Sequence, residues 1–293
     1  MPSTQENPAT TTTTTASEAD QQQQQPSFSI DAHKAAIRAR IWTKLRDVAL
    51  PDSRFDYDFS SFIADFSGSS AATDLLLAEP WWRAARLVFI TPDNCLEELR
   101  ARALAQGKTV LATTYAIRRG FVVVGPEDVE RDGRGPWYAA TLDGMEKVGR
   151  RVGLEEIMGQ RWKVDVMVTG TGAVGDSGVR FGKGHGFFDL EWAMLYSVGA
   201  VDMGATTVVG VVHDCQVVGR DEVELRPDVF DTVCDVVVTP TRVMRVEAAV
   251  KPAVGILWER LAAGMEESIP PLRELREMQR REGKESTVEL RRG

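Results

Sequence analysis

Residues 164–190 read VDVMVTGTGAVGDSGVRFGKGHGFFDL. The first six form a short valine-rich run, the middle is glycine-rich turn chemistry, and a second glycine cluster leads into the apolar periodic segment Phe188–Met203. Strand, glycine loop and helix in that order predict one strand-to-helix unit of a parallel sheet. Working outward, the same short β-branched runs recur at Arg86–Ile90, Thr109–Thr113, Phe121–Val124, Thr207–Val212 and Asp235–Thr239. Helical patterns fall between them. Asp31 can cap a helix in which Ile37, Ile41 and Leu45 repeat at four-residue spacing; Leu96–Ala105 ends at Gly107, and Val246–Met265 follows the last strand. Continuously apolar strands alternating with helices predict an α/β fold: a three-layer, open, mostly parallel sheet with helices on both faces. In such folds ligands sit beyond the carboxyl ends of the strands, so the loops after Ile90, Thr113, Thr169, Val212 and Thr239 matter most.

Composition sets the limits. Six threonines at Thr10–Thr15 and five glutamines at Gln21–Gln25 make residues 1–26 too poor in apolar surface to offset ordering, which predicts disorder there. Residues 27–268 are expected to form the α/β domain, and 269–293 a short charged helix that frays into a tail. The net charge of −8 makes the chain a poor partner for nucleic acid or an anionic membrane. No apolar run approaches the roughly 18 residues of a transmembrane helix. The amino-terminal segment lacks the basic and apolar regions of a secretory signal. Cys95, Cys215 and Cys234 are widely spaced with no Cys-x-x-Cys pair, and read as reduced thiols. A cytoplasmic protein, monomeric, is the expectation.

Gly170–Gly175 spells G-x-G-x-x-G directly after a strand. A dinucleotide fingerprint needs a helix to begin inside the motif, and Asp176-Ser177-Gly178 is turn chemistry, so that reading is rejected. The second cluster is better placed. Gly182, Gly184 and Gly186 alternate immediately before the helix, where glycines can turn successive N–H groups toward one point and the helix terminus favours anions. Arg180 and Lys183 add positive charge, and Asp189 is placed to hold Mg²⁺ beside phosphate. The same residues also suit a tight connection in which Asp189 is only a helix-terminal charge. Lys34 and Arg38, four apart on one helix face, fit a phosphate clamp or a solvated basic face.

The segment Arg180-Phe-Gly-Lys-Gly-His-Gly-Phe-Phe-Asp189 resembles the Arg-x-Gly-x-Gly-Lys-Gly-Tyr-Tyr-Asp motif of the 5-formyltetrahydrofolate cyclo-ligase (5,10-methenyltetrahydrofolate synthetase) family. Lys34-x-x-x-Arg38, the strand-end segment reaching Gln216, and Asp235–Thr239 extend the likeness over about residues 31–260. Gly144–Gly149, Val212–Val217 and Thr239–Val243 are similar to the subgroup of methenyltetrahydrofolate synthase domain-containing proteins. The resemblance implies ATP-driven ring closure: Mg-ATP phosphorylates the formyl oxygen of 5-formyltetrahydrofolate, the second folate amine attacks, and phosphate leaves. Such chemistry is mostly positioning and charge neutralisation.

By resemblance, Arg180, Lys183 and His185 serve catalysis, and Lys34, Arg38, Gly182, Gly184 and Gly186 bind the ATP phosphates. Phe187, Phe188, Gln216 and Thr239 contact folate, and Asp189 holds Mg²⁺. The chain departs from the pattern at His185, where the family has lysine, and at Phe187 and Phe188, where it has tyrosines. Gly144-Met-Glu-Lys147 stands in place of the family's Gly-Ile-x-Glu-Pro. Nucleotide binding is expected to survive these changes better than folate turnover. The alternative reading is a divergent, non-catalytic protein binding a nucleotide or RNA through the same loop. His213-Asp214-Cys215 offers an acid, a base and a thiol, but adjacent residues rarely face one another, so Cys215 reads as a packed thiol. Trp81 and Trp82, and Trp42, Trp162, Trp192 and Trp258, read as packing residues.

Overall fold

A computed structural model describes residues 30–183, 186–219, 225 and 227–290. The stretch expected to be disordered, 1–26, lies outside them, as do Gly184 and His185. The first helix, α1, spans Ile30–Leu45. Then come α2 (Ser69–Leu77), β1 (Leu87–Ile90), α3 (Glu97–Ala105), β2 (Thr109–Thr113) and β3 (Phe121–Val124). Next are α4 (Leu142–Val148), β4 (Arg150–Val152), β5 (Val166–Gly170), β6 (Ala173–Gly175), β7 (Arg180–Phe181) and α5 (Phe187–Ser197). The chain ends with β8 (Thr207–Val211), β9 (Val217–Val218), β10 (Val236–Val238), β11 (Val243–Arg245) and α6 (Pro270–Leu290).

Eight strands form the main sheet in the order β11-β10-β8-β5-β1-β2-β3-β4. The five central strands, β10 to β2, are parallel, while β11, β3 and β4 add antiparallel edges. Side-chain alternation divides the core. Phe89, Leu111, Met167, Val208 and Val237 face α5 and the start of α6. Val88, Val110, Val168, Val209 and Val238 face α2, α3 and α4. Both faces are covered, which is why the strands read as unbroken apolar runs. The parallel sheet with helices on both faces is thus the observed fold. The rejected fingerprint is also resolved: Ala173–Gly175 is a strand, pairing with β7 and β9 in a small second sheet packed on α1, and no helix begins in the motif. Gly172 is required there, because a Cβ would sit 2.9 Å from the Phe181 carbonyl oxygen.

Two expectations change. Val246–Met265 is not a helix; it runs without regular structure across α5, with only short helical turns at Trp258–Arg260 and from Met265. Pro252 lacks an N–H and disfavours helical geometry at Lys251. Tertiary bonds then fix the path: the buried Lys251 ammonium donates to Asp235 at 2.7 Å and to the Thr206 carbonyl, and Trp192 Nε1 donates to the Pro252 carbonyl. The carboxyl-terminal helix, expected to be short, is 21 residues long. Leu272, Leu275 and Met278 are buried in the same core as α5, so its first turns pack against the domain.

Candidate functional site

From β1 the parallel order proceeds one way to β2 and the other way through β5, β8 and β10. The strand order therefore reverses between β1 and β5, where a crevice opens at the carboxyl ends. A cavity of about 610 Å³ lies there, lined by the loops after β1, β2 and β5, by α1, and by the start of α5. The loop after β2 turns sharply to form part of the wall. Ala116 and Ile117 have φ values of 52° and 57°, a left-handed geometry that is costly for residues with a Cβ, above all a β-branched one.

One wall is cationic. Lys34, Arg38, Arg54, Arg180 and Lys183 all line the cavity. Lys34 Nζ donates to Asp231 at 2.5 Å and lies 5.2 Å from the Phe181 ring. Arg180, 6% exposed, pairs with Asp189 at 2.5 Å and stacks 4.3 Å over Phe188. Lys183 reaches the Ser61 carbonyl and lies over Tyr115. Arg54 is held by Asp52, which accepts from its amide and guanidinium and from Asn94; these bonds keep Asp52 well below the usual carboxylate range.

The floor is acidic and apolar together. Asp189 accepts from Arg180 and the Thr232 amide, and burial raises its pKa, partly offset by the Arg180 charge. Glu191, two residues further along α5, is buried and takes a hydrogen bond from the Thr113 hydroxyl at the end of β2. Burial pushes its carboxyl up to about 8. Asp93, after β1, accepts from Thr91 Oγ1 and the Gly170 amide. Arg100, fully buried beneath this loop, donates to the carbonyls of Thr91, Asp93 and Ala140 and so holds the loop's shape.

The fold thus brings Lys34, Arg38, Arg180, Gly182, Lys183, Gly186, Phe187, Phe188 and Asp189 to one cavity. Gly186 is the α5 N-cap with φ +66°, a conformation that other residues adopt only with strain. Phe188 faces the core as well as the cavity, at 5% exposure. Gln216 and Thr239 stand apart from these residues. Neither lines the cavity. Gln216 is buried, donating to the Thr171 carbonyl and accepting from the His213 amide, while the Thr239 hydroxyl donates to Asp214. Their polar groups are spent joining loops at strand ends. The His213-Asp214-Cys215 segment makes no triad: His213 Nδ1 accepts from the Cys215 amide. Trp82 and Trp192 are fully buried, whereas Trp42, Trp162 and Trp258 are only partly so.

Sequence reasoning missed Asp93, Thr113, Asp231 and Glu191. A signal for Glu191 existed: it is the one charge after Asp189 in the apolar remainder of α5, Leu190–Ser197. The donor set fits ATP and Mg²⁺. Arg180 Nε is buried with no hydrogen-bond partner, and a Cβ at Gly182 would meet nothing within 4 Å, leaving both a donor and room for a phosphate oxygen. Among the described residues no cluster of three or more metal-ligating side chains exists. Asp189 and the neighbouring Asp231 instead match the one or two carboxylates that Mg²⁺ takes when phosphate supplies the rest. No described helix is long and apolar enough to cross a membrane.

The methenyltetrahydrofolate synthase domain-containing protein of Mus musculus is 35% identical to this chain over 257 residues, covering 87% of the chain and 66% of the relative. The Homo sapiens protein of that name is 34% identical over 263 residues, covering 89% of the chain and 66% of the relative. The chain therefore spans slightly less than two thirds of these relatives' length. The NMR structure of Aquifex aeolicus 5,10-methenyltetrahydrofolate synthetase matches with a TM-score of 0.44 at 20% identity, over 73% of this chain and 93% of that one. The family profile itself aligns with residues 30–240, which take in α1, the glycine loop and every parallel strand. On that span the chain belongs to the 5-formyltetrahydrofolate cyclo-ligase family.

Proposed function

We propose that the chain converts 5-formyltetrahydrofolate to 5,10-methenyltetrahydrofolate at the expense of ATP. The observation that carries this reading is the joining, in one cavity at the switch point, of a cationic wall with an unfilled Arg180 donor and an apolar floor. Triphosphate belongs against Lys34, Arg38, Arg180, Lys183 and the glycine backbone. Asp189 and Asp231 would hold Mg²⁺, which supplies charge neutralisation at the phosphate oxygens. The folate ring belongs on the side lined by Tyr115, Ile117 and Phe188.

Arg180 has the central role. Its Nε–H is free to meet charge growing on a transferring phosphoryl group, while Asp189 and the Phe188 face fix the guanidinium plane. Donors fixed in advance cost no reorganisation as charge develops. Lys183 reaches the same space from the glycine loop, and burial of the floor excludes water from the activated formyl group.

The test is purified protein with Mg-ATP and 5-formyltetrahydrofolate, following methenyl product absorbance and ADP together. A second reading, ligand binding without turnover, is favoured by one observation: Lys34 and Arg180 are already neutralised by Asp231 and Asp189. It expects calorimetric binding of Mg-ATP with neither product formed, beside an active control enzyme.

A further inference from the structure

Arg54 lines the main cavity but is not among the groups that hold the triphosphate in the reading above. It stands at the tip of a closed loop. Asp52 and Asp56 exchange backbone hydrogen bonds of 2.9 and 2.8 Å, and between them the Arg54 amide donates to Asp52 Oδ1 at 2.7 Å. The Asp52 carboxylate, 6% exposed, also accepts from Arg54 Nε, Arg54 Nη2 and Asn94 Nδ2. The guanidinium carbon lies 5.0 Å from the Phe55 ring centroid and 5.6 Å from that of Tyr115, and those two rings stack on one another. An arginine at a rim ordinarily samples many rotamers. This one is held in a single orientation by a buried acid and an aromatic ledge.

What the anchoring leaves over has a direction. Asp52 takes the side-on fork of the guanidinium, Nε with Nη2. The end-on fork, Nη1 with the second Nη2 hydrogen, has no partner among the described residues, and the side chain is 43% exposed. A planar guanidinium can serve one carboxylate along each edge. A smaller cavity of about 90 Å³ shares Arg54, Thr113 and Tyr115 with the main one. Of the cations lining the main cavity, Arg54 alone borders both among the described residues, which puts it at the Tyr115 side, where the folate ring was placed. Asp143 also acts on Arg54, but it is 86% exposed beside Lys147 and solvent screens it.

We propose that Arg54 is a specificity-determining residue whose end-on fork binds a carboxylate of the folate's glutamate tail at the junction of the two cavities. The inference rests on the folate reading and adds to it the direction of the substrate, tail toward Arg54 and reacting end toward the phosphate wall. A cation already fixed by Asp52 and Tyr115 loses little freedom on binding, so its contact is not spent on ordering.

The experiment is calorimetric binding of 5-formyltetrahydrofolate and of its diamide, in which neutral carboxamides replace the glutamate carboxylates. Both are measured on wild type, Arg54→Gln and Arg54→Lys, with circular dichroism confirming that each is folded and Mg-ATP affinity recorded beside them. Wild type should prefer the acid form about tenfold at low salt, the size of one charge-assisted contact at a partly exposed site, and the preference should shrink as salt is added. Arg54→Gln should bind acid and diamide alike. If it fails to fold, Arg54→Lys decides: its ammonium pairs with Asp52 and has no second fork, so the preference should fall at least about threefold. A preference that persists in the folded variant overturns the assignment. So does a variant whose Mg-ATP affinity falls as much as its folate affinity, because Arg54 would then serve the phosphates or the fold. Wild type that binds Mg-ATP but neither folate form rejects the folate reading, and this assignment with it. Wild type that binds both folate forms equally rejects the assignment alone.

Discussion

Arg180 and Asp189, nine residues apart, meet at 2.5 Å across the glycine loop, so the strand that precedes the loop and the helix that follows it are tied at their nearest ends. Both side chains are largely buried. Removing one partner leaves the other's charge stranded, and Asp189→Asn should cost about 3–5 kcal/mol. Urea unfolding monitored by tryptophan fluorescence checks this.

Glu191 links stability to pH in a definite direction. Its ordinary value is 4.5 and its folded value about 8. Between the two, the folded chain holds a proton that the unfolded chain has released, so stability falls as pH rises and the loss is complete above the folded value. The melting temperature of wild type should therefore drop more between about pH 5.5 and about pH 8.5 than that of Glu191→Gln. Parallel thermal melts measure the difference.

At Ala116 the φ of 52° sits where only glycine is relaxed. Ala116→Gly should raise stability by about 0.5–1 kcal/mol, the relief of left-handed strain exceeding the added chain entropy. Its neighbour Ile117 is not an equivalent target, because its side chain is buried in the core. Chemical denaturation of the single variant gives the sign.

Lys34 carries charge from α1 to the cavity, held by Asp231. Lys34→Ala should weaken Mg-ATP binding about tenfold, as expected for loss of one charge-assisted contact. Calorimetry with Mg-ATP reads this without requiring turnover.

Burial raises the pKa of all three thiols, that of Cys234 to about 12. Only Cys215 is partly exposed. A thiol-reactive disulfide reagent should label native protein slowly and at that one position, then label all three residues once the chain is unfolded. Mass spectrometry of the labelled peptides identifies them.

The parts legible in the sequence were those whose cause is local. Thr109–Thr113 and Phe121–Val124 match β2 and β3 residue for residue, because a short apolar β-branched run between turn residues leaves little choice. Val246–Met265 misled because periodic apolar residues there answer to long-range partners: Lys251 bonds to Asp235, and Pro252 to Trp192. The acidic floor was hidden for a related cause. Asp93, Thr113 and Glu191 lie on three separate elements and meet only once β5, β1 and β2 are set side by side, an arrangement no local pattern encodes.

The two outermost strands, β4 and β11, are three residues long and carry Arg150, Arg151 and Arg245. Arg150 is engaged with Glu156, and Arg245 with Glu79. An open sheet offers its unpaired backbone to any passing chain, and brief, charged margins discourage that advance. Guarding the margins of this sheet thereby falls to a handful of guanidinium groups away from the cavity. Exchanging Arg150 and Arg151 for threonine would leave the site untouched and turn a guarded border into an invitation to stack.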